Sequence, residues 1–440
     1  MGNVEPKKKY GSIGKILLIT YFFPPLNNIS SMRTFAFARY LTAEGFDVTV
    51  LTVPKDRSGD KGQKVSNYHD KFKVVEAAGL NPVSQINLLK YQEKNSSKNF
   101  LTYLQRIKVY LLANLFSSLD FWLLKGQRSA NKLVADNHFD IVLSSHSPIS
   151  THLIAWMLKR KHPNLYWIAD YRDLWSYNHF GNTPKFPFSI LQHVLERKLN
   201  RTADLLCTVS TPLQELLEKK YGKKTLVVEN GYFPEDCNLV NETTQDFSKK
   251  IIFTYTGVFY PEKYNPSLFF TCLKEIIESQ KITASEVEVL FYGINSTCLL
   301  PFVEVSGLPF SMVKLLPQIS RNQALRAQQE STALLFFGHD TPATKGVLTG
   351  KLFEYMISGK PIIACGIGIG NMAGQLINET NTGYVCGDDK NKINHALLSI
   401  LNQEELSPDH EKISLYRRDR LVGKLANYIK KVMSDKGYAD

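Results

Sequence analysis

Two runs of short, nearly continuous apolar segments, separated by stretches with helical spacing, constrain this chain more than any other feature. The first run comprises Lys15–Thr20 (KILLIT), Asp47–Val53 (DVTVLTV), Asp140–Ser144 (DIVLS), Leu165–Ala169 (LYWIA), Asp204–Val209 (DLLCTV) and Thr225–Glu229 (TLVVE). A strand that is apolar throughout, rather than at alternate positions, is covered on both faces. Helices between such strands make the sheet parallel. Arg33–Glu44, for example, has apolar residues at helical intervals, and Gly45 ends that helix. Polar residues then gather from Pro234 to Lys250 and read as a linker. The pattern restarts with Ile251–Thr256, Val287–Tyr292, Met312–Leu316, Ala333–Phe337 and Pro361–Cys365. The expectation is an α/β chain of two doubly wound, Rossmann-like domains facing across a cleft. The division expected is residues 1–240, residues 241–415, and a C-terminal helix in 416–440 returning toward the first domain. Ligands of such sheets bind beyond the carboxyl ends of the strands, so the cleft is the expected site.

Composition narrows the class. With 43% hydrophobic and 11% aromatic residues among 440, the chain is too apolar to be disordered. No apolar run approaches the ~20 residues needed to span a bilayer. No apolar stretch precedes Ile16, so no cleaved secretory signal is expected. The six cysteines at 207, 237, 272, 298, 365 and 386 form no CxxC pair and no zinc spacing. They read as free thiols in a reducing cytoplasm. A net charge of +12 asks for an acidic partner: nucleic acid, an anionic membrane surface or a phosphorylated small molecule.

One segment stands apart. In Phe100–Gly126, Leu104, Leu111, Leu112, Leu115, Leu119 and Trp122 fall roughly on one helical face, with Arg106, Lys108 and Lys125 nearby. It reads either as a core helix pair or as an interfacial segment dipping into anionic lipid.

The stretch KGVLTGKLFEYMISGKPII at Lys345–Ile363 carries the most chemistry. Thr349 can cap a helix that starts near Gly350 and ends at Gly359, with Pro361 opening the next strand. Free amides at a helix start attract phosphate, and Lys351 adds positive charge in the first turn. Glu354, three residues on, can accept hydroxyl hydrogen bonds from a ribose. Phosphate at the helix start with sugar one turn deeper is a nucleotide arrangement. The competing reading is a surface Lys–Glu pair worth a few tenths of a kcal/mol.

TGKLFEYMISGKPII resembles the nucleotide-sugar-binding segment of retaining GT-B glycosyltransferases, specifically glycosyltransferase family 4. Six further pieces resemble that family in the same order: YFFPPLNNISSMRTFAFARYLTAEGFDVTVLT, DIVLSSHSPISTHLIAW, WIADYRDLW, ADLLCTVSTPLQELL, VVENGYFPEDC and YTGVFYPEKYNP. The resemblance spans Gly14 to Asp388. It implies an enzyme moving a sugar, with retention, from a nucleotide-sugar (UDP favoured) to a glycan or polyprenyl-diphosphate-linked saccharide in cell-envelope polysaccharide synthesis. It implies nucleotide-sugar contacts from Arg33, Gly257, Lys263, Thr349, Gly350, Lys351 and Glu354. It places His146, Asp170, Arg172 and Asp173 at the reacting sugars, although the two carboxylates and Arg172 could equally pair with one another. No metal or other cofactor is expected, because the leaving diphosphate is met by Lys351, Lys263 and Arg33. A cytoplasmic protein, peripheral on the inner membrane face through residues 100–126, and no nucleic-acid partner complete the expectation.

The sequence departs from the family pattern at three places. The first of two glutamates separated by seven residues is replaced by Gly346. Gly257 is followed by Val258 and Phe259, leaving only Lys263 of two family cations. The glycine-rich opening loop is Asn27–Ser31. The alternatives are a nucleotide-sugar 2-epimerase or another GT-B enzyme, which incubation with donor alone would reveal. A nucleic-acid binder is disfavoured because the basic residues are dispersed and no known module appears.

Overall fold

Lys15–Ile19 (β1) is apolar at four successive positions, and Ile16 to Ile19 are wholly buried. Only the middle of a sheet covered on both faces has room for such a strand. The computed structural model describes residues 12–26, 28–54, 72–77, 122–172, 175, 186, 188–237, 250–342 and 344–435. They cluster into two compact units. One is Met1–Thr208 with Gln214–Val228 and Val422–Asp440; the other is Glu229–Leu421 with Val209–Leu213.

In the first unit β1 is followed by α1 (Ile29–Ala43), β2 (Asp47–Thr52), β3 (Lys73–Glu76), α2 (Leu123–Asp136), β4 (Ile141–His146), α3 (Ser150–Lys161), β5 (Tyr166–Tyr171), α4 (Phe188–Thr202), β6 (Leu205–Thr208), α5 (Thr211–Tyr221) and β7 (Thr225–Val227). The sheet is parallel in the order β3-β2-β1-β4-β5-β6-β7. The order reverses between β1 and β4. At such a switch point the chain leaves the sheet in opposite directions and opens a crevice at the carboxyl edge.

The second unit repeats the plan with β8 (Ile251–Thr256), α6 (Ser267–Glu278), β9 (Val287–Tyr292), α7 (Ser296–Ser306), β10 (Val313–Leu316), α8 (Arg321–Gln329), β11 (Ala333–Phe337), α9 (Gly350–Ile357), β12 (Ile362–Cys365), α10 (Met372–Glu379), β13 (Gly383–Gly387), α11 (Lys390–Leu401), α12 (His410–Ser414) and α13 (Arg418–Asp435). Its parallel sheet runs β10-β9-β8-β11-β12-β13, with the switch point between β8 and β11. The two-faced burial is explicit along β11. Ala333, Leu335 and Phe337 enter one core cluster with Phe253, Tyr255 and Phe291. Leu334 and Phe336 enter the other with Leu352, Phe353 and Tyr355 of α9.

The two doubly wound parallel sheets expected from the sequence are present. Two strands escaped the sequence reading. β3 is a half-exposed four-residue edge strand, and β13 is a GYVCG segment with glycine at both ends. Both are too short and too weakly apolar to stand out. The C-terminal part of α13 belongs to the first unit. There Lys430 Nζ meets Glu44 Oε2 at 2.7 Å, and Lys224 Nζ lies 4.9 Å from the centre of the Tyr428 ring. Among the described residues no helix is long and apolar enough to cross a membrane. Residues 100–121 of the expected interfacial segment, and Asp173, lie outside the described residues.

Candidate functional site

In the second unit the candidate residues gather over the β8/β11 switch point. The apolar residues Leu352, Phe353, Tyr355 and Met356 bury one face of α9. Tyr355 fixes its height, since its hydroxyl oxygen accepts from the Thr256 amide at 2.9 Å. Gln328 of α8 donates to Thr256 Oγ1 at 3.0 Å, tying a third element to the same point. Gly257, next along, has φ +110°, a backbone state that favours glycine. A Cβ built there would lie 3.9 Å from Lys351 Cδ, so the loop after β8 and the start of α9 meet at this position.

Lys351 reaches back over the strand ends. Its Nζ donates to Tyr255 Oη at 2.5 Å and sits 3.9 Å from the Tyr255 ring centroid. The rings of Phe336 and Tyr264 lie 5.6 and 5.7 Å away. Tyr255 gives its own proton to the Val258 carbonyl at 2.7 Å and so presents a lone pair to the ammonium. Among the described residues Lys351 has no carboxylate partner. Aromatic faces attract a cation but do not neutralise it. Enclosure among these rings lowers the lysine's pKa to about 7. An ammonium with two further N–H donors and no counterion is suited to receive an anion.

Glu354 does not pair with Lys351. Its Oε1 accepts from Arg321 Nε at 2.9 Å, and its Oε2 has no hydrogen bond among the described residues. Arg321, the first residue of α8, also donates from both terminal nitrogens to Asp236, each at 2.7 Å. Burial opposes its charge, but Glu354 and Asp236 outweigh that effect and raise its pKa. Neither Arg321 nor Asp236 was singled out from the sequence, although VVENGYFPEDC contains Asp236. Thr349 occupies the N-cap position with extended backbone, but its side chain makes no capping bond, and its buried Oγ1 lacks a partner among the described residues. Lys263 lies half-buried in the loop after β8, 5.7 Å from the Tyr260 ring. Gly346, where the family pattern has a glutamate, is closed in: a Cβ there would meet Ser210 Oγ at 2.8 Å and Leu213 and Pro212 at 3.3 Å.

In the first unit the other candidates meet at the carboxyl ends of β4 and β5, beside α1. Arg33 is 2% exposed and Asp170 fully buried. Arg33 donates to Asp170 from Nε at 3.0 Å and NH2 at 2.6 Å, and to the Val228 carbonyl from NH1 at 2.7 Å. Ser145 gives Asp170 a further hydrogen bond at 2.7 Å. The charge of Arg33, expected to face a diphosphate, is therefore balanced by Asp170 within the fold. Arg172 donates to Ser30 Oγ at the start of α1. His146 is the last residue of β4, 8% exposed, with its ring 5.7 Å from those of Tyr171 and His152. His152 bonds Ser144 through Nδ1 at 2.8 Å. Burial, then the neighbouring His146, lowers its pKa well below the usual histidine value and keeps it neutral.

Residues 31–236 match the family model described as Glycosyltransferase Family 4. The match covers just under half of the chain and ties this stretch to the glycosyltransferases by similarity. Solved structures extend the likeness to the whole length. Sucrose-phosphate synthase from Thermosynechococcus elongatus superposes with a TM-score of 0.61 at 14% identity, covering 96% of this chain and 100% of that one. WaaG, a glycosyltransferase involved in lipopolysaccharide biosynthesis, gives 0.54 at 12% identity, covering 94% and 99%. A putative UDP-N-acetylglucosamine 2-epimerase from Listeria monocytogenes gives 0.55 at 14% identity, covering 96% and 97%. At these identities the likeness shows the fold, which is GT-B as expected. A comparison with curated proteins finds no match. With a glycosyltransferase family match inside this frame, the chain is an enzyme of the glycosyltransferase class.

The lysine's environment gives a pH prediction. Folding lowers the Lys351 pKa from 10.5 to about 7, so between these values the unfolded chain binds more protons than the folded one. Burying the charge therefore costs stability below about pH 7, and stability rises as pH increases through 7 toward 10.5. Anion binding has the opposite trend, since it needs the ammonium. Affinity for a nucleoside diphosphate should fall up to tenfold per pH unit above 7. Titration calorimetry in buffers of different ionisation heat should detect proton uptake on binding. Pairing flat stability with flat affinity across pH 6–9 would exclude a titrating Lys351.

Proposed function

We propose that this enzyme transfers a sugar, with retention of anomeric configuration, from a nucleotide-sugar to a glycan or lipid-linked saccharide of the cell envelope, with UDP the favoured nucleotide. One observation carries the donor reading. Among the described residues, an ammonium at the start of α9 has no counterion, and a carboxylate one turn later has one oxygen unused. A diphosphate fits the first and a ribose hydroxyl the second. Lys351, with Lys263 and the first amides of α9, would hold the charge that grows on the leaving diphosphate. In this reading the departing phosphate oxygen takes the acceptor's proton on the same face, so no side-chain nucleophile is assigned. His146 at the end of β4 would hold a sugar hydroxyl, while Asp170 acts through the rigidity it lends Arg33 and the strand ends.

The test is a thermal-shift panel of UDP-, GDP- and dTDP-sugars, followed by product analysis. At 100 times its Kd the true donor adds about 2.7 kcal/mol of stability. Conversion of the donor alone into its epimer would favour the epimerase alternative, as the Listeria fold neighbour raises. Failure of every nucleotide to shift the melt would sink the donor reading.

The acceptor reading draws support from α4. Ile190, Leu191 and Val194 are 49–58% exposed on that helix, with Arg197, Lys198 and Arg201 exposed beside them. Its one carboxylate, Glu196, is buried and bonded to Lys220 at 3.2 Å. Apolar side chains bordered by exposed bases match the boundary of an anionic bilayer. The enzyme should sediment with vesicles containing phosphatidylglycerol but not with phosphatidylcholine alone. Ile190→Glu with Val194→Glu should reduce that binding at least tenfold. Equal sedimentation with both lipids would argue against a charged membrane surface.

A further inference from the structure

We propose that Asp236 and Arg321 are positioning residues that hold Glu354 with one oxygen open to the ribose of a nucleotide. The proposal rests on the donor reading above, and its basis is the geometry of one guanidinium. Arg321 offers five N–H donors in a rigid plane. Asp236 occupies the end of the fork, taking one bond from NH1 and one from NH2, both at 2.7 Å. Glu354 is left the side position and uses it through a single 2.9 Å bond from Nε to Oε1. Oε2 is therefore held in place without being consumed. A carboxylate alone on a guanidinium closes into a two-point pair and spends both oxygens. Asp236 fixes the guanidinium plane from the other end, and in that fixed plane Glu354 meets Nε with one oxygen alone.

Asp236 is itself immobilised. It is 2% exposed, and its Oδ2 also accepts from the Phe233 amide at 3.0 Å. Arg321 is fixed at the start of α8, where Ser320 and Gln323 form a reciprocal capping box. The three charged groups come from three separate places: the turn after Phe233, the start of α8 and the first turns of α9. Two carboxylates share one cation, so the cluster keeps a net negative charge. That charge suits hydroxyl donors and repels phosphate, which leaves the diphosphate to Lys351.

The experiment compares UDP and GDP with their 2′,3′-dideoxy counterparts by calorimetry. The parent enzyme should prefer the ribose form of its nucleotide at least tenfold, the effect of a hydrogen bond to a charged acceptor. Glu354→Ala should erase the preference. Asp236→Asn, which keeps size and the Phe233 bond, should shrink it to within threefold while affinity for the dideoxy form is unchanged. Arg321→Lys, a second variant with no fork, should do the same. A merely structural role would weaken both forms equally and leave the ratio intact. An unchanged ratio in either folded variant overturns the positioning role and spares the donor reading. A parent enzyme that binds neither nucleotide, or binds without ribose preference, overturns both.

Discussion

Lys351→Met is expected to yield an enzyme at least as stable as its parent at neutral pH but with strongly weakened binding of nucleoside diphosphates. The two effects share a cause. Lys351 carries its charge into a pocket of Tyr255, Tyr264 and Phe336, and no carboxylate among the described residues answers it. Methionine keeps the apolar stem and removes the group whose burial is costly. The anion then loses its one dedicated cation on α9. A charge-assisted hydrogen bond of about 1.5–3 kcal/mol corresponds to roughly 10- to 100-fold weaker binding. Glu354→Ala should weaken nucleotide binding comparably, with Arg321 still neutralised by Asp236. Melts with and without ligand separate stability from binding. Retained nucleotide affinity in both variants would mean that α9 is not the donor site.

Arg33→Met should damage the first unit far more than the second. Both members of the Arg33–Asp170 pair are buried, and among the described residues Asp170 would keep only Ser145 as a side-chain partner. Breaking one half of a buried pair costs about 3–5 kcal/mol, because an unanswered charge remains inside. That is a large part of the roughly 5–15 kcal/mol that a folded domain has in total. All four tryptophans, at 122, 156, 167 and 175, lie in the first unit, so their fluorescence follows that unit alone. The urea midpoint read by tryptophan should fall sharply in Arg33→Met. The double change Arg33→Met with Asp170→Leu should recover most of the loss. A single variant with an unshifted midpoint would show that Arg33 is not a structural cation.

The two kinds of candidate residue differ in how they could be found. The placement of Gly257 at a strand end and of Lys351 and Glu354 on one helix was legible because these relations are local. A glycine after a strand, a lysine in a helix's first turn and a carboxylate one turn on are relations within a few residues of one another. Arg321 lies 33 residues from Glu354 and 85 from Asp236, and no short-range pattern ties them. Arg33 read correctly as a helix residue near a strand edge, but its partner is 137 residues away. Nothing near position 33 distinguishes a cation awaiting phosphate from one already neutralised. Gly346 shows the same limit. The sequence reveals a missing glutamate, whereas the crowding around that position is made by Ser210, Pro212 and Leu213.

The order of apolar segments alone determined two parallel, doubly wound sheets, because backbone hydrogen bonds and two-faced burial leave such a pattern few other solutions. It also placed the helix that starts at Gly350, since helix starts and strand ends are written in adjacent residues. Which charges stay available was decided only in three dimensions. Coulomb pairing depends on distance through space, and the fold brought Asp170 to Arg33 and Asp236 to Arg321 while leaving Lys351 among rings.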